Sequence, residues 1–123
     1  MSKGGGYSGT RGSNVGGEVN HIPAWNSIGI AKKIDPNLSG LPTHGTTHSI
    51  HMDKPDHRAM SSTGSSNKAK TYRRTQADLI AQGKFNEAMG MDIDETISKY
   101  GNKYDVHMDE MLDYAEKKKI YNN

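Results

Sequence analysis

Histidine is the residue type whose number and spacing suggest chemistry. The 123-residue chain holds six, and five of them, His21, His44, His48, His51 and His57, lie between positions 21 and 57. Neutral imidazole is a common metal ligand, and its ordinary proton affinity suits a general base near neutral pH. Glu18, Asp53 and Asp56 flank the same stretch, so one divalent ion with nitrogen and oxygen ligands can be imagined there. Solvated histidines of a polar loop are the plainer account, and composition alone does not decide between the two.

Positioning such a site requires elements. The pattern predicts a short strand over 18–22, ended by Pro23, and then a turn. Pro36, Gly40, Pro42 and Gly45 mark a long loop over 31–47. Ile50 and Met52 alternate with polar neighbours, which predicts a second short strand over 48–53. Asp53 and Pro55 read as a helix start bearing His57, and SSTGSSN at 61–67 ends it. Two short strands and a helix can clamp one ion between them. The phosphodiester cleavage this suggests needs a base for water, a cation against charge building on phosphorus, and help for the leaving oxygen.

The second half reads as helical. Residues 67–82 put Ala69, Tyr72, Leu79 and Ile80 on one face. Phe85, Ala88, Met89, Ile93, Ile97 and Tyr100 recur over 84–100. Tyr104, Met108, Met111 and Ala115 recur over 103–118. Gly83 and Gly101 are natural stops, and Gly90 marks a place for a bend. The expected fold class is therefore α+β: a small two-strand-plus-helix metal-finger core followed by about three amphipathic helices. Residues 1–17, rich in Gly and Ser, read as a flexible entry segment before a single domain over 18–123. That domain divides into a His-rich site region over 18–66 and a helical part over 67–118.

Only 32% of residues are hydrophobic and 7% aromatic, so the core is small. There is no cysteine, which excludes disulfides, thiol catalysis and cysteine-ligated zinc, the usual zinc deaminase site included. No nucleophile-elbow motif supports a serine hydrolase. No apolar run approaches the ~20 residues of a membrane span, and no leader pattern is present. Residues 1–83 carry 10 Lys and Arg against 5 Asp and Glu, while residues 84–123 carry 6 against 9. A basic first part suits a polyanionic partner, and ordinary surface charge suits it equally. Arg58, Lys68, Lys70, Arg73 and Arg74 follow the histidine stretch. Lys70, Arg73 and Arg74 share a helix side and could bind phosphates, or form a solvated face. Trp25 and Tyr7 could stack on bases.

Three runs carry a family resemblance. GGEVNHIPAW resembles the EVHHIPA or HHMPA segment of C-terminal domains of bacterial polymorphic toxins of the Rhs, LXG and contact-dependent types. IHMDKPDHRAMSSTGSS resembles their I-x-MD-x-x-DHR-x-x-S-x-GSS segment. The run from Tyr72 through IAQGKFNEAMGMDID to SKYGNKYD and MLDYA is similar to their tail. The likeness spans about Gly17 to Ala115. The His-His-x-Pro strand and the later His at a helix start place these domains with the HNH/endonuclease VII-like nucleases.

The resemblance implies a metal-dependent endonuclease toxin acting on DNA in preference to RNA. His21 would be the general base, and His57 a ligand of one divalent ion (Mg, Mn, Zn or Ni). Asn20 stands where the family carries a His or Asp ligand. Either the site tolerates Asn20, or Glu18 takes its place, or the domain is an inactivated variant. His51, Asp56 and Arg58 are further candidates at or around the site, with Asp56 suited to orienting an imidazole. The resemblance also implies delivery as part of a larger toxin, action in the target-cell cytoplasm, and a cognate immunity protein. The basic first half gives that partner an acidic surface. A ribonuclease, with or without metal, and a non-enzymatic binding module are the alternatives.

Overall fold

The computed structural model describes residues 3–12 and 17–118. Its elements run β1 (Gly4–Gly6), α1 (Tyr7–Gly12), β2 (Glu18–His21), α2 (Trp25–Ile34), β3 (His48–Met52), α3 (Lys54–Arg58), α4 (Asn67–Ala81), α5 (Phe85–Tyr100) and α6 (Asp105–Lys118). The class is α+β, with one antiparallel sheet in the order β1-β3-β2. Glu18 pairs with Met52 and His21 with Ser49 on one side of β3; Gly4 pairs with Ile50 and Gly6 with His48 on the other. As the middle strand, β3 is buried at all five residues, which its alternation of polar and apolar side chains does not suggest.

The sheet has three strands where two were expected, because part of the entry segment joins it. Residues 1–2 and 13–16 of that segment lie outside the described residues. A Gly-Gly-Gly strand has no side chains to pack, and here that is its use. A Cβ on Gly4 would run into the carbonyl of His107, and one on Gly6 would meet the Tyr114 ring at 2.7 Å. Only glycine lets the backbone of β1 lie this close to α6.

A second correction concerns residues 25–34, which form helix α2 in place of a turn and the start of a loop. Ile28 and Ala31 are fully buried, and α2 packs most extensively against α4. Asp35, ahead of Pro36, ends it, because a residue before proline is pushed out of the helical region. Helix α1 is a further correction, since it lies in the stretch expected to be a flexible entry segment; α3 starts where Asp53 and Pro55 mark it, and α4, α5 and α6 fall where periodicity predicts them. Gly83, with φ of 80°, turns the chain after α4. Gly90 lies inside an uninterrupted α5.

One cluster joins the two halves: Ile22, Ile28 and Ile50 from the first pack with Ile80, Phe85, Met89, Tyr104 and Met111 from the second. The interior also holds polar residues that periodicity passes over. Ile97 is 49% exposed, whereas Asp92 and Thr96 on the same helix are fully buried. Tyr72 Oη donates to Asp92 Oδ1 at 2.7 Å, and Gln76 Nε2 donates to Oδ2 at 2.9 Å. Burial pushes the Asp92 carboxyl up to about 7, against the pull of these two donors. Among the described residues no helix is long and apolar enough to cross a membrane.

Candidate functional site

His21 is the last residue of β2, followed by a cis Ile22–Pro23 bond and then by α2. Aromatic rings enclose its imidazole. Tyr7 stacks on it with centroids 4.1 Å apart and planes 13° from parallel, and His44 and Trp25 stand 4.9 Å and 6.4 Å away. This enclosure, assisted by the positive charge that His44 can carry, lowers the ring's proton affinity to about 4. The ring is therefore neutral, in the form a base requires, well below neutral pH. Its Nε2 is buried without a well-aligned hydrogen-bond partner among the described residues, while the main chain of His44 lies close enough to act on the ring's charge.

His57 comes from α3, which packs on β2. Its Nδ1 lies 2.9 Å from Glu18 Oε1, and the other oxygen, Oε2, accepts from Arg58 at 3.2 Å. The bond from His57, with help from Arg58, holds the Glu18 carboxyl below the usual carboxylate range. An ionised carboxylate only accepts, so Nδ1 carries a proton, and in the neutral ring the lone pair is on Nε2.

His21 and His57, 36 positions apart, line one cleft of about 350 Å³ together with Asn20, Trp25, Asn26 and Arg73. Arg73 is fixed there. It donates to the carbonyls of Ser62 and Gly64 at 2.7 and 2.8 Å, and its Nε donates to Asn26 Oδ1 at 3.2 Å. The cleft thus gathers two imidazoles of unlike environment, a guanidinium and an indole.

Other expected site residues lie elsewhere. Asp56 orients no imidazole. Its carboxylate accepts from Lys103 Nζ and Tyr104 Oη, each at 2.6 Å, tying α3 to the start of α6. His51 neither faces solvent nor lines the cleft; it is buried, with Nε2 against the carbonyl of Thr10. Lys70 is exposed, and Arg74 pairs with Asp78 at 3.1 Å on the solvent side. Of the three predicted phosphate-binding residues, only Arg73 borders the cleft. His48 is a core residue between the rings of Phe85 and Tyr114, and burial lowers it to about 4. Sequence reasoning gave no place at the site to His44, and none to Tyr7 beside His21. Both reach His21 through tertiary contacts that no local spacing encodes.

An ion at the cleft would need donors with lone pairs to spare. Glu18 meets His57 Nδ1 through Oε1 and Arg58 through Oε2. Asn20 borders the cleft but is 3% exposed, with Nδ2 directed at the Met52 sulfur 3.6 Å away. Among the described residues no three His, Asp or Glu side chains come together as a ligand set. Of the cleft's lining residues, His57 and Asn20 remain as donors for an ion, an imidazole that suits zinc or nickel and an amide oxygen that suits magnesium or manganese. Comparison with family models, with curated proteins and with solved structures finds no match to this chain.

Proposed function

We propose that the cleft cleaves phosphodiester bonds of nucleic acid. The observation that carries this reading is the meeting of His21 and His57 at one cleft bordered by Arg73. His21, neutral over most of the pH range, takes the proton of the attacking water. Arg73, whose Nε and Nη1 are held by Asn26 and by the 62–64 turn, sets positive charge where a phosphate would lie. His57, with Nδ1 fixed by Glu18, directs its other nitrogen at the same space. Where a divalent ion is bound, His57 and Asn20 would hold it, and it would stabilise the charge that develops on phosphorus.

The leading substrate is DNA with little sequence preference. A second reading, a ribonuclease that works without metal by His21 and His57 as base and acid, is favoured by the want of a third metal ligand among the described residues. Through the resemblance of GGEVNHIPAW and IHMDKPDHRAMSSTGSS, the reading extends to a toxin domain. It would be delivered within a larger protein, act in the target-cell cytoplasm, and be neutralised by an immunity protein with an acidic surface.

The test is incubation of the purified protein with plasmid and with total RNA, in magnesium, manganese, zinc, nickel or EDTA. His21→Ala and His57→Ala serve as controls. Cleavage by the wild type that falls by roughly a hundredfold or more in both variants supports the reading. Intact substrates under every condition, or variants as active as the wild type, overturn it. Survival of RNA cleavage in EDTA selects the second reading.

A further inference from the structure

Helix α2 forms one wall of the cleft through Trp25 and Asn26 in its first turn, yet it begins without a cap of its own. Its N-cap residue, Ala24, has no capping side chain, and Ser27 stands three positions later, where a capping box would carry a Glu or Gln reaching back to the N-cap N–H. Gln76 of α4 does this from outside. Its Oε1 accepts from Ser27 Oγ at 2.9 Å and, at a longer 3.4 Å, from the Ala24 N–H. Its Nε2 donates to the Ala88 carbonyl at 3.1 Å and to Asp92 Oδ2 at 2.9 Å. Gln76 is fully buried with both ends of its amide engaged. The Ala24 N–H and the Ala88 carbonyl fix which way round that amide lies, since one can only donate and the other only accept.

We propose that Gln76 is a positioning residue for the candidate active cleft, supplying from α4 the cap that α2 lacks and so setting where Trp25 and Asn26 stand. One turn earlier on α4, Arg73 holds Asn26 from the solvent side, so two residues of one helix fix the same turn of another. The chain from Asp92 through Gln76 to Ser27 runs through the interior. There an unmade hydrogen bond is costly and a complete network admits a single arrangement. The geometric claim stands by itself; its catalytic consequence rests on the nuclease reading.

Trp25 is the only tryptophan, so its fluorescence reports on this wall whether or not the protein cuts anything. The experiment compares full-length wild type with Ser27→Ala, Gln76→Leu and the core control Ile80→Val. It measures Trp25 emission and acrylamide quenching of the folded protein, the urea midpoint, and kcat and KM on the substrate that the wild type cuts.

The expected result is a red-shifted, more readily quenched Trp25 in both Ser27→Ala and Gln76→Leu. With it, kcat falls by about tenfold or more in Gln76→Leu with little change in KM, because misplacement affects the reacting geometry more than binding. Ile80→Val should lower the midpoint without moving Trp25 or kcat. Should Gln76→Leu not fold, Ser27→Ala decides. Trp25 emission and quenching that match the wild type in every folded variant overturn the proposal, as does Ile80→Val moving Trp25 as far as Ser27→Ala does. Absence of cleavage by the wild type would overturn the nuclease reading and leave the Trp25 measurement to decide the placement of the wall.

Discussion

Enclosure among rings and core side chains gives His21 and His48 the same depressed proton affinity, about 4, although one borders the cleft and the other the core. On the proposed nuclease reading the consequence for His21 is kinetic. A base that protonates near 4 places the acid limb of kcat/KM near pH 4, well below the ~6.5 of an exposed imidazole. Tyr7→Ala, which uncovers the ring, should move that limb upward by about a pH unit or more, readable from a pH–rate profile. For both residues there is also a cost in stability, and its direction is fixed. Above about 6.5 the rings are neutral folded and unfolded, so they contribute nothing. Between about 6.5 and 4 the unfolded chain binds the protons first, and stability drains away as pH falls. For His48 the loss should reach roughly 3 kcal/mol; thermal melts from pH 7 to 4 would show it, with a flatter profile in His48→Leu. At this scale the sequence was partly legible. Unusual residue types in one stretch singled out His21 and His57, which the fold brings to one cleft, whereas for Asp56 they could not show that Lys103 and Tyr104 approach it from a distant part of the chain.

Helices were legible where their own residues determine them. In α4 the cap is local: Ser66 Oγ accepts from the Ala69 N–H at 3.1 Å, and Gly83 turns the chain away. Ser66→Ala should therefore destabilise the protein by about 1 kcal/mol in urea unfolding, leaving cleavage unaltered because Ser66 does not border the cleft. In α6 apolar periodicity found the buried face; in α5 it found Phe85, Ala88 and Met89, placed the exposed Ile97 with them, and missed Asp92 and Thr96 because their burial is satisfied by hydrogen bonds. Helix α2 was hidden for a related reason. Its N-terminus has no capping side chain, it carries the poor helix former Gly29, and its stabilising partner stands 49 residues onward at Gln76. Local propensity cannot register a partner that distant.

Across the whole molecule, β1 binds the beginning of the chain to its last helix. The close approach at Gly4 and Gly6 makes these positions intolerant of any side chain. Gly4→Ala should cost about 1–3 kcal/mol, measured by urea midpoint, and should loosen Tyr7, the next residue but two and the cover of His21. A glycine run suggested an open entry segment, because the reason for the glycines lies on α6, more than a hundred positions away. The sheet order carries a consequence in time. Both outer strands precede the middle one in the chain, so a polypeptide emerging N-terminus first from a ribosome has nothing to zip β1 and β2 together until residues 48–52 follow. His57 arrives later still, and the helix that steadies α2 after that. Until residues 48–57 have followed, the His21 ring stands without the middle strand and the second imidazole that together shape its cleft.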